Sequence, residues 1–448
     1  MTPNQEISTN RFYTEFWFIC LIVSVGLVSG YNVGFYAFRF ADLIFILSIV
    51  YFLINKKNRT DKKLIFYYSL LLLYIVVRST FDAQQYLNLL NTKTLFGMTM
   101  TYLTPIIFLV TRNSIFNSKH AKYLLYTACI VSIFSQLGLL LVGEKEASGT
   151  VDLGKLFNLG TTMTKVDLLG YQERTITIWR ALSIGFAFAL IFVRTKPIFR
   201  IAGIIGLFLQ TAGGGGGRGG LLFVIVTPIL LFIFLPNSSK YSLTTKMLIG
   251  IAGAIIFSSL YLWAPLGEKF TIKDSGKLVR HEDRAEEIFI LFTEGWSGVS
   301  AKGGMNARTQ GWEEYVDRIF SDQNIFLFGV GLYKGAAFMY TGNMAAHNMI
   351  LDVWSLIGIL GLLLFLIFNY FVIVDMIYLL KVTPKNSYEQ VFIYSFAIAV
   401  FYFYQPLLFQ AVTSDRSYMI VFFLLTGTLR PFANSLNDNQ AHEVRLNA

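Results

Sequence analysis

Twelve long apolar segments dominate this chain, and a backbone in hydrocarbon has to satisfy its own polar groups, which a helix does within a single segment. The segments lie at about 16–33, 36–54, 64–78, 94–111, 123–142, 176–194, 198–212, 219–235, 246–264, 349–380, 391–409 and 414–429. At roughly 20 residues per crossing, twelve spans account for about 240 residues, close to half of the 448. Composition agrees. Only 14% of residues are charged, against about 25% in soluble proteins, while 54% are hydrophobic and the mean hydropathy is +0.56. An ordinary water-soluble enzyme is excluded. The expected fold is an all-α polytopic membrane protein of about twelve transmembrane helices, forming one domain over 1–448. The first segment does not read as a cleaved signal peptide: it lacks a strong basic start and a small-residue cleavage site, and a second apolar stretch follows almost at once.

The short loops give the orientation. Lys56, Lys57, Arg59, Lys62 and Lys63 crowd the second loop, Arg112, Lys119 and Lys122 the fourth, and Arg194, Lys196 and Arg200 the sixth. Lys240 with Lys246 and Lys381 with Lys385 fill the eighth and tenth. Basic residues accumulate on cytoplasmic loops, so these loops and both termini are expected in the cytoplasm. Two longer segments then lie outside it, a small one at 143–175 and a large one at 265–348. The large one is rich in both signs of charge, and its run from Arg280 to Leu291 reads as an amphipathic helix along the outer face. The net charge of +10 is accounted for by loops and anionic ligands, and no nucleic-acid partner is expected.

Few residues can carry chemistry. The two cysteines, Cys20 and Cys129, sit inside apolar stretches and suit neither a disulfide framework nor a thiolate metal site. His120 and His442 read as solvated residues of the cytoplasmic side, and His281 as a solvated face of the charged run. His347 differs, because it stands where the large loop re-enters the membrane, in Ala346-His347-Asn348. Two roles fit it. A helix N-terminus favours the neutral imidazole that a general base needs, and a histidine there also satisfies backbone groups at a helix start.

Arginines gather on the same outer side: Arg174, Arg180, Arg218, Arg308 and Arg318. Guanidinium groups bind phosphate oxygens bidentately and stay charged, so convergent arginines at a bilayer surface suit a lipid diphosphate. Arg218 is embedded in Gly213–Gly217 and Gly219-Gly220, where absent side chains let a ligand approach the backbone. The alternative for that segment is an outer turn whose arginine binds lipid headgroups. Arg39 and Asp42, three apart on one predicted helix, are expected to neutralise each other. Phosphate-binding loops, zinc-type Cys/His spacing and an outward Asp-x-Asp pair are all missing from the sequence. The chemistry expected is therefore metal-independent, without a cofactor.

Several of these residues also resemble a known signature. Arg308 with Trp312, Phe328-Gly329-Val330-Gly331, Ala346-His347-Asn348 and Gly358-Ile359-Leu360-Gly361, in that order, resemble the pattern of the bacterial O-antigen ligase and polymerase superfamily. There an Arg, a Trp, a Gly-Val-Gly and an Ala-His-Asn precede a Gly-x-x-Gly that opens a long apolar helix. Thr211 to Gly220 is similar to the family's small-residue turn around an arginine. Arg174 to Gly185 and Arg318 to Gly329 share the Arg-x10-Gly spacing of the polymerases' periplasmic loops.

The resemblance implies a GT-C-like fold in the bacterial inner membrane, both termini cytoplasmic and the active site periplasmic. It also implies that His347 is the general base deprotonating an acceptor sugar hydroxyl. Arg218 and Arg308 would bind the departing undecaprenyl diphosphate, helped by Arg174, Arg180 and Arg318, with Asn348, Trp312, Gly329 and Gly331 in support. The chain departs from the pattern in having five glycines before Arg218, where serine is commoner, and Leu356 where an acidic residue is common.

An O-antigen polymerase, moving the growing glycan from undecaprenyl diphosphate onto a lipid-linked repeat unit with inversion, is the expected function. The paired Arg-x10-Gly spacing and the 42 Phe and 24 Tyr favour it, since aromatic faces suit sugar stacking. A ligase transferring finished polysaccharide to lipid A–core is the alternative acceptor choice. A transporter of lipid-linked sugars is the alternative class, although no internal repeat supports it. Implied partners are undecaprenyl-diphosphate-linked glycans, membrane lipid and, for a polymerase, a chain-length regulator.

Overall fold

The computed structural model describes residues 30–33, 36–54, 61–85, 89–121, 306–332, 348–384 and 416–446, with several positions between 393 and 407. Outside the described residues lie most of the first span, the spans at 123–142, 176–194, 198–212, 219–235 and 246–264, the small outer loop, the run from Arg280 to Leu291 with His281, and both cysteines.

The described chain is helical apart from one hairpin, β1 (Gly30–Val33) paired antiparallel with β2 (Tyr36–Arg39). Val33 pairs with Tyr36 at the closed end of the ladder. The hairpin takes residues that hydropathy assigned to the first two spans, because Tyr, Val and Phe serve a strand as well as an apolar helix. Helix α1 (Phe40–Ile54) therefore starts four residues later than expected.

Next come α2 (Lys62–Gln85), α3 (Leu89–Leu103) and α4 (Pro105–Arg112). The last two form one expected span, interrupted where Pro105 lacks the N–H that a helix would use to bond Thr101. Thr104 makes good the loss: its Oγ1 donates to the Thr101 carbonyl at 2.6 Å and its backbone N–H at 3.3 Å. After α4, Asn117 caps a new helix through Oδ1, while His120 Nδ1 accepts the Asn117 N–H at 3.4 Å. This is a capping box with histidine in the returning position. His120, expected to be solvated, is half-buried against the Phe116 ring.

From the large outer loop, α5 (Asn306–Ser321) and α6 (Gln323–Phe328) are described, followed by α7 (Met349–Val382), α8 (Arg416–Gly427) and α9 (Leu429–Leu446). The last span was expected to stop at 429, but the chain continues as helix. Leu429, Phe432, Ala433 and Leu436, spaced as one helical face, are buried and α9 packs against α7. Among the described residues, four stretches are long and apolar enough to cross a membrane: Lys62–Ala83, Leu95–Arg112, Met349–Val382 and Tyr418–Asp438.

The core is aromatic. Phe423 on α8 meets Phe108, Phe365 and Phe368 edge-on at 6.1 to 6.5 Å, tying α4, α7 and α8 together. Tyr68 and Tyr102 extend the cluster onto α2 and α3. Two charged knots close the bundle. Asp42 takes Arg416 in a fork, at 2.5 Å to Nε and 2.8 Å to Nη2, both residues being buried. Arg39, expected to neutralise Asp42 from the same helix, belongs to β2 and its side chain lies outside the described ones, while Arg416 reaches Asp42 from 374 residues away.

The second knot is Arg112, which holds both carboxylate oxygens of the fully buried Asp375 at 2.6 and 3.0 Å and also pairs with Asp61. It joins the start of α2, the end of α4 and the later part of α7. The ends of the second and fourth basic loops therefore meet the tenth-loop end of α7 at one end of the bundle, and α2 and α7 run antiparallel.

Candidate functional site

At the opposite end of α2 and α7, three pieces of the sequence pattern assemble into one unit. It begins with α5, whose Tyr315 and Ile319 are buried while Glu313, Glu314, Asp317 and Arg318 are exposed. Asp322 ends that helix and caps α6, its Oδ1 accepting from the Asn324 and Ile325 N–H groups. Gly329 then terminates α6 at φ +74°, a left-handed conformation that only glycine adopts without strain. Val330 and Gly331 continue past it and lie against α7.

Helix α7 receives that segment because it is broken. Asn348 caps its start, Oδ1 accepting from the Ile350 and Leu351 N–H groups at 2.9 and 3.3 Å. Ten residues later, Gly358 adopts φ +68° and ψ −179° and interrupts the helix. The Gly-x-x-Gly, expected to open the long apolar helix, thus lies at a break inside it. A helix end leaves carbonyls without partners, and this one recruits them from elsewhere. The Val330 N–H donates to Ser355 O at 2.7 Å, the Gly331 N–H to Leu356 O at 3.0 Å, and the Tyr74 hydroxyl to Ile357 O at 2.5 Å. Fit between the strands of this contact requires two glycines: a Cβ on Gly358 would overlap the Leu327 carbonyl, and one on Gly329 would overlap the backbone of Leu356 and Ile357.

Helix α2 holds the unit from the side. Asp82, with its side chain 2% exposed, accepts the Leu332 N–H at 2.7 Å. Arg78 lies 3.2 Å from the same carboxylate and donates to Gly329 O at 3.3 Å. A Cβ on Gly331 would stand 2.6 Å from the Asp82 carboxylate, so the segment can approach this closely only with glycine there. On the other side, Phe320, Phe326 and Trp354 meet with ring centroids 5.3 to 5.5 Å apart, and the Trp354 indole donates to Phe326 O at 3.1 Å. Together these contacts fix the half-helix Met349–Ile357 as a separate body.

The sequence-predicted site residues fare unequally. Gly329, Gly331 and Asn348 belong to this unit. Trp312 is half-buried on α5. Arg308 lies in the first turn of α5, with a side chain outside the described ones, and Arg318 is exposed in the last turn. Ten residues of helix separate the two by about 15 Å, so they do not stand side by side. His347, Arg174, Arg180 and Arg218 lie outside the described residues.

Sequence reading missed Tyr74, Arg78, Asp82 and Trp354. The third expected span stopped at residue 78 and left Asp82 in a loop, whereas α2 continues to Gln85. The available signal was an Arg and an Asp four apart at the end of an apolar run, since charge within a span usually has a purpose. Among the described residues, no three His, Cys, Asp or Glu side chains are grouped to hold a metal ion. Compared with known proteins, the chain matches no family model and no curated protein.

Proposed function

We propose that the chain is an O-antigen polymerase of the bacterial inner membrane, an inverting glycosyltransferase acting at the periplasmic face. One observation carries the reading. Gly329-Val330-Gly331, Asn348 and Gly358, the separated parts of the superfamily pattern, fold into a single unit built on backbone contacts. The antiparallel α2 and α7, with basic-loop ends joined by Arg112 at the other end, support an orientation that faces this unit outward. His347 immediately precedes the capped start of α7.

In the reaction, His347 takes the proton of an acceptor hydroxyl as its oxygen bonds to the anomeric carbon of the donor. The bond from that carbon to the diphosphate breaks on the opposite face, inverting the configuration. Undecaprenyl diphosphate leaves as the anion, its charge met by Arg218 and Arg308 with Arg174, Arg180 and Arg318 in support. The leaving group is already a good one, so positioning, one base and anion stabilisation suffice for the rate.

A second reading has an observation of its own. Discontinuous helices are a feature of transporters, and the break at Gly358 suits a carrier that binds the diphosphate without transferring sugar. A lipopolysaccharide gel from a strain lacking this gene, complemented with wild type or His347→Ala, separates the readings. Collapse of the ladder to core plus one repeat unit marks a polymerase. Loss of all O-antigen from core, with polymer left on its lipid carrier, marks a ligase. A full ladder with His347→Ala leaves transport as the reading that stands.

A further inference from the structure

A charged pair inside an apolar span is expensive, and apolar residues of similar volume often stabilise as well. Arg78 and Asp82 therefore need a reason beyond packing. Their partners supply one. Both reach across to a segment some 250 residues away in the chain and bond only its backbone: the Gly329 carbonyl and the Leu332 N–H. Between those two points, the Val330 and Gly331 N–H groups are fixed to Ser355 and Leu356. The pair thus acts on the half-helix Met349–Ile357 through the glycine segment. That half-helix needs holding, because Gly358 interrupts the backbone continuity that would otherwise orient it.

We infer that Arg78 and Asp82 are positioning residues for glycosyl transfer, clamping Gly329–Leu332 so that the half-helix Met349–Ile357 presents its capped N-terminus in one orientation. The inference rests on the transferase reading of this end of the bundle. Its lever arm can be sized. Nine residues extend about 13 Å, so a tilt of about 5° about the Gly358 break moves Asn348 by about 1 Å. Displacements of that size at a reacting group cost about 100-fold in rate. Asp82 also matches Gly331 sterically, since a side chain at 331 would displace its carboxylate.

The test uses the full chain in proteoliposomes, with undecaprenyl-diphosphate-linked repeat unit purified from a strain lacking this gene as substrate. Turnover per folded molecule is measured for wild type, Asp82→Asn, Arg78→Gln, the double variant and His347→Ala. Asp82→Asn keeps an oxygen for the Leu332 N–H but loses the ion pair. Each single variant is expected to lower kcat about 10- to 100-fold while KM stays within about two-fold, the pattern of an interaction that matters in the transition state. The double variant is expected to be no worse than the weaker single, because the two act as a unit.

Arg78→Lys, a milder change that keeps a charge beside Asp82 but lacks the planar fork, is expected to fall between wild type and Arg78→Gln. Unchanged kcat per folded molecule in Asp82→Asn, Arg78→Gln and Arg78→Lys, with His347→Ala inactive, overturns the inference and leaves the transferase reading standing. Wild-type turnover by His347→Ala overturns both.

Discussion

At the scale of single residues, the least local contacts are the ones on which the structure depends most. Asp42 and Arg416 form a buried fork across 374 residues of chain. Removing one partner of such a pair leaves an uncompensated charge and costs about 3–5 kcal/mol, whereas replacing both with apolar groups is often neutral. Arg416→Met alone is therefore expected to lower the thermal midpoint of the detergent-purified protein sharply, and Asp42→Leu with Arg416→Met to recover most of the loss. Sequence could not have found this pair. Spacing along the chain is all that a sequence offers, and Arg416 becomes a neighbour of Asp42 only when α1 and α8 pack together. Asp82 was missed because the expected span stopped short of it, and its contact at Leu332, 250 residues on, is one that spacing does not show. Gly358 was visible, but the break was not, because a Gly-x-x-Gly reads equally as a helix start. Gly358→Ala is expected to destabilise the fold by about 1–3 kcal/mol from backbone strain alone, read from the same thermal midpoint, with overlap against the Leu327 carbonyl adding to it.

At the scale of elements, hydropathy located the described apolar helices well and their ends poorly. The expected spans at 64–78, 349–380 and 414–429 correspond to α2, α7 and α8. Ends moved wherever a tertiary contact outweighed local composition: α2 runs on to present Asp82, and the chain beyond α8 stays helical because α7 covers one face of α9. The hairpin at 30–39 was hidden because its aromatic and β-branched residues raise hydropathy as a helix would. The start of α7 is where an element bears most on function. Asn348 satisfies two of its free N–H groups, and losing such a cap costs about 1 kcal/mol. Asn348→Ala is expected to speed hydrogen exchange at the Ile350 and Leu351 amides, while Asn348→Asp or Asn348→Ser keeps it close to wild type. Equal exchange in Asn348→Ala would mean that the clamp, rather than the cap, holds the first turn.

At the scale of the whole molecule, the antiparallel arrangement of α2 and α7 gives the two ends different characters. Arg112, Asp61 and Asp375 tie one end together, and the glycine unit with Asn348 forms the other. In the proposed orientation, the basic loops face the first toward the cytoplasm. In a background with Cys20→Ala and Cys129→Ala, Glu313→Cys is expected to react with a membrane-impermeant maleimide in permeable-outer-membrane cells. Lys63→Cys is expected to react only after the inner membrane is opened. The most direct measurement is transfer itself. Purified chain in proteoliposomes, supplied with undecaprenyl-diphosphate-linked repeat unit, is assayed for glycan lengthened by whole repeats and for released undecaprenyl diphosphate. Wild type is expected to release one undecaprenyl diphosphate for each repeat added, and His347→Ala to give neither product. Release of undecaprenyl diphosphate and longer glycan by His347→Ala at the wild-type rate would contradict this account.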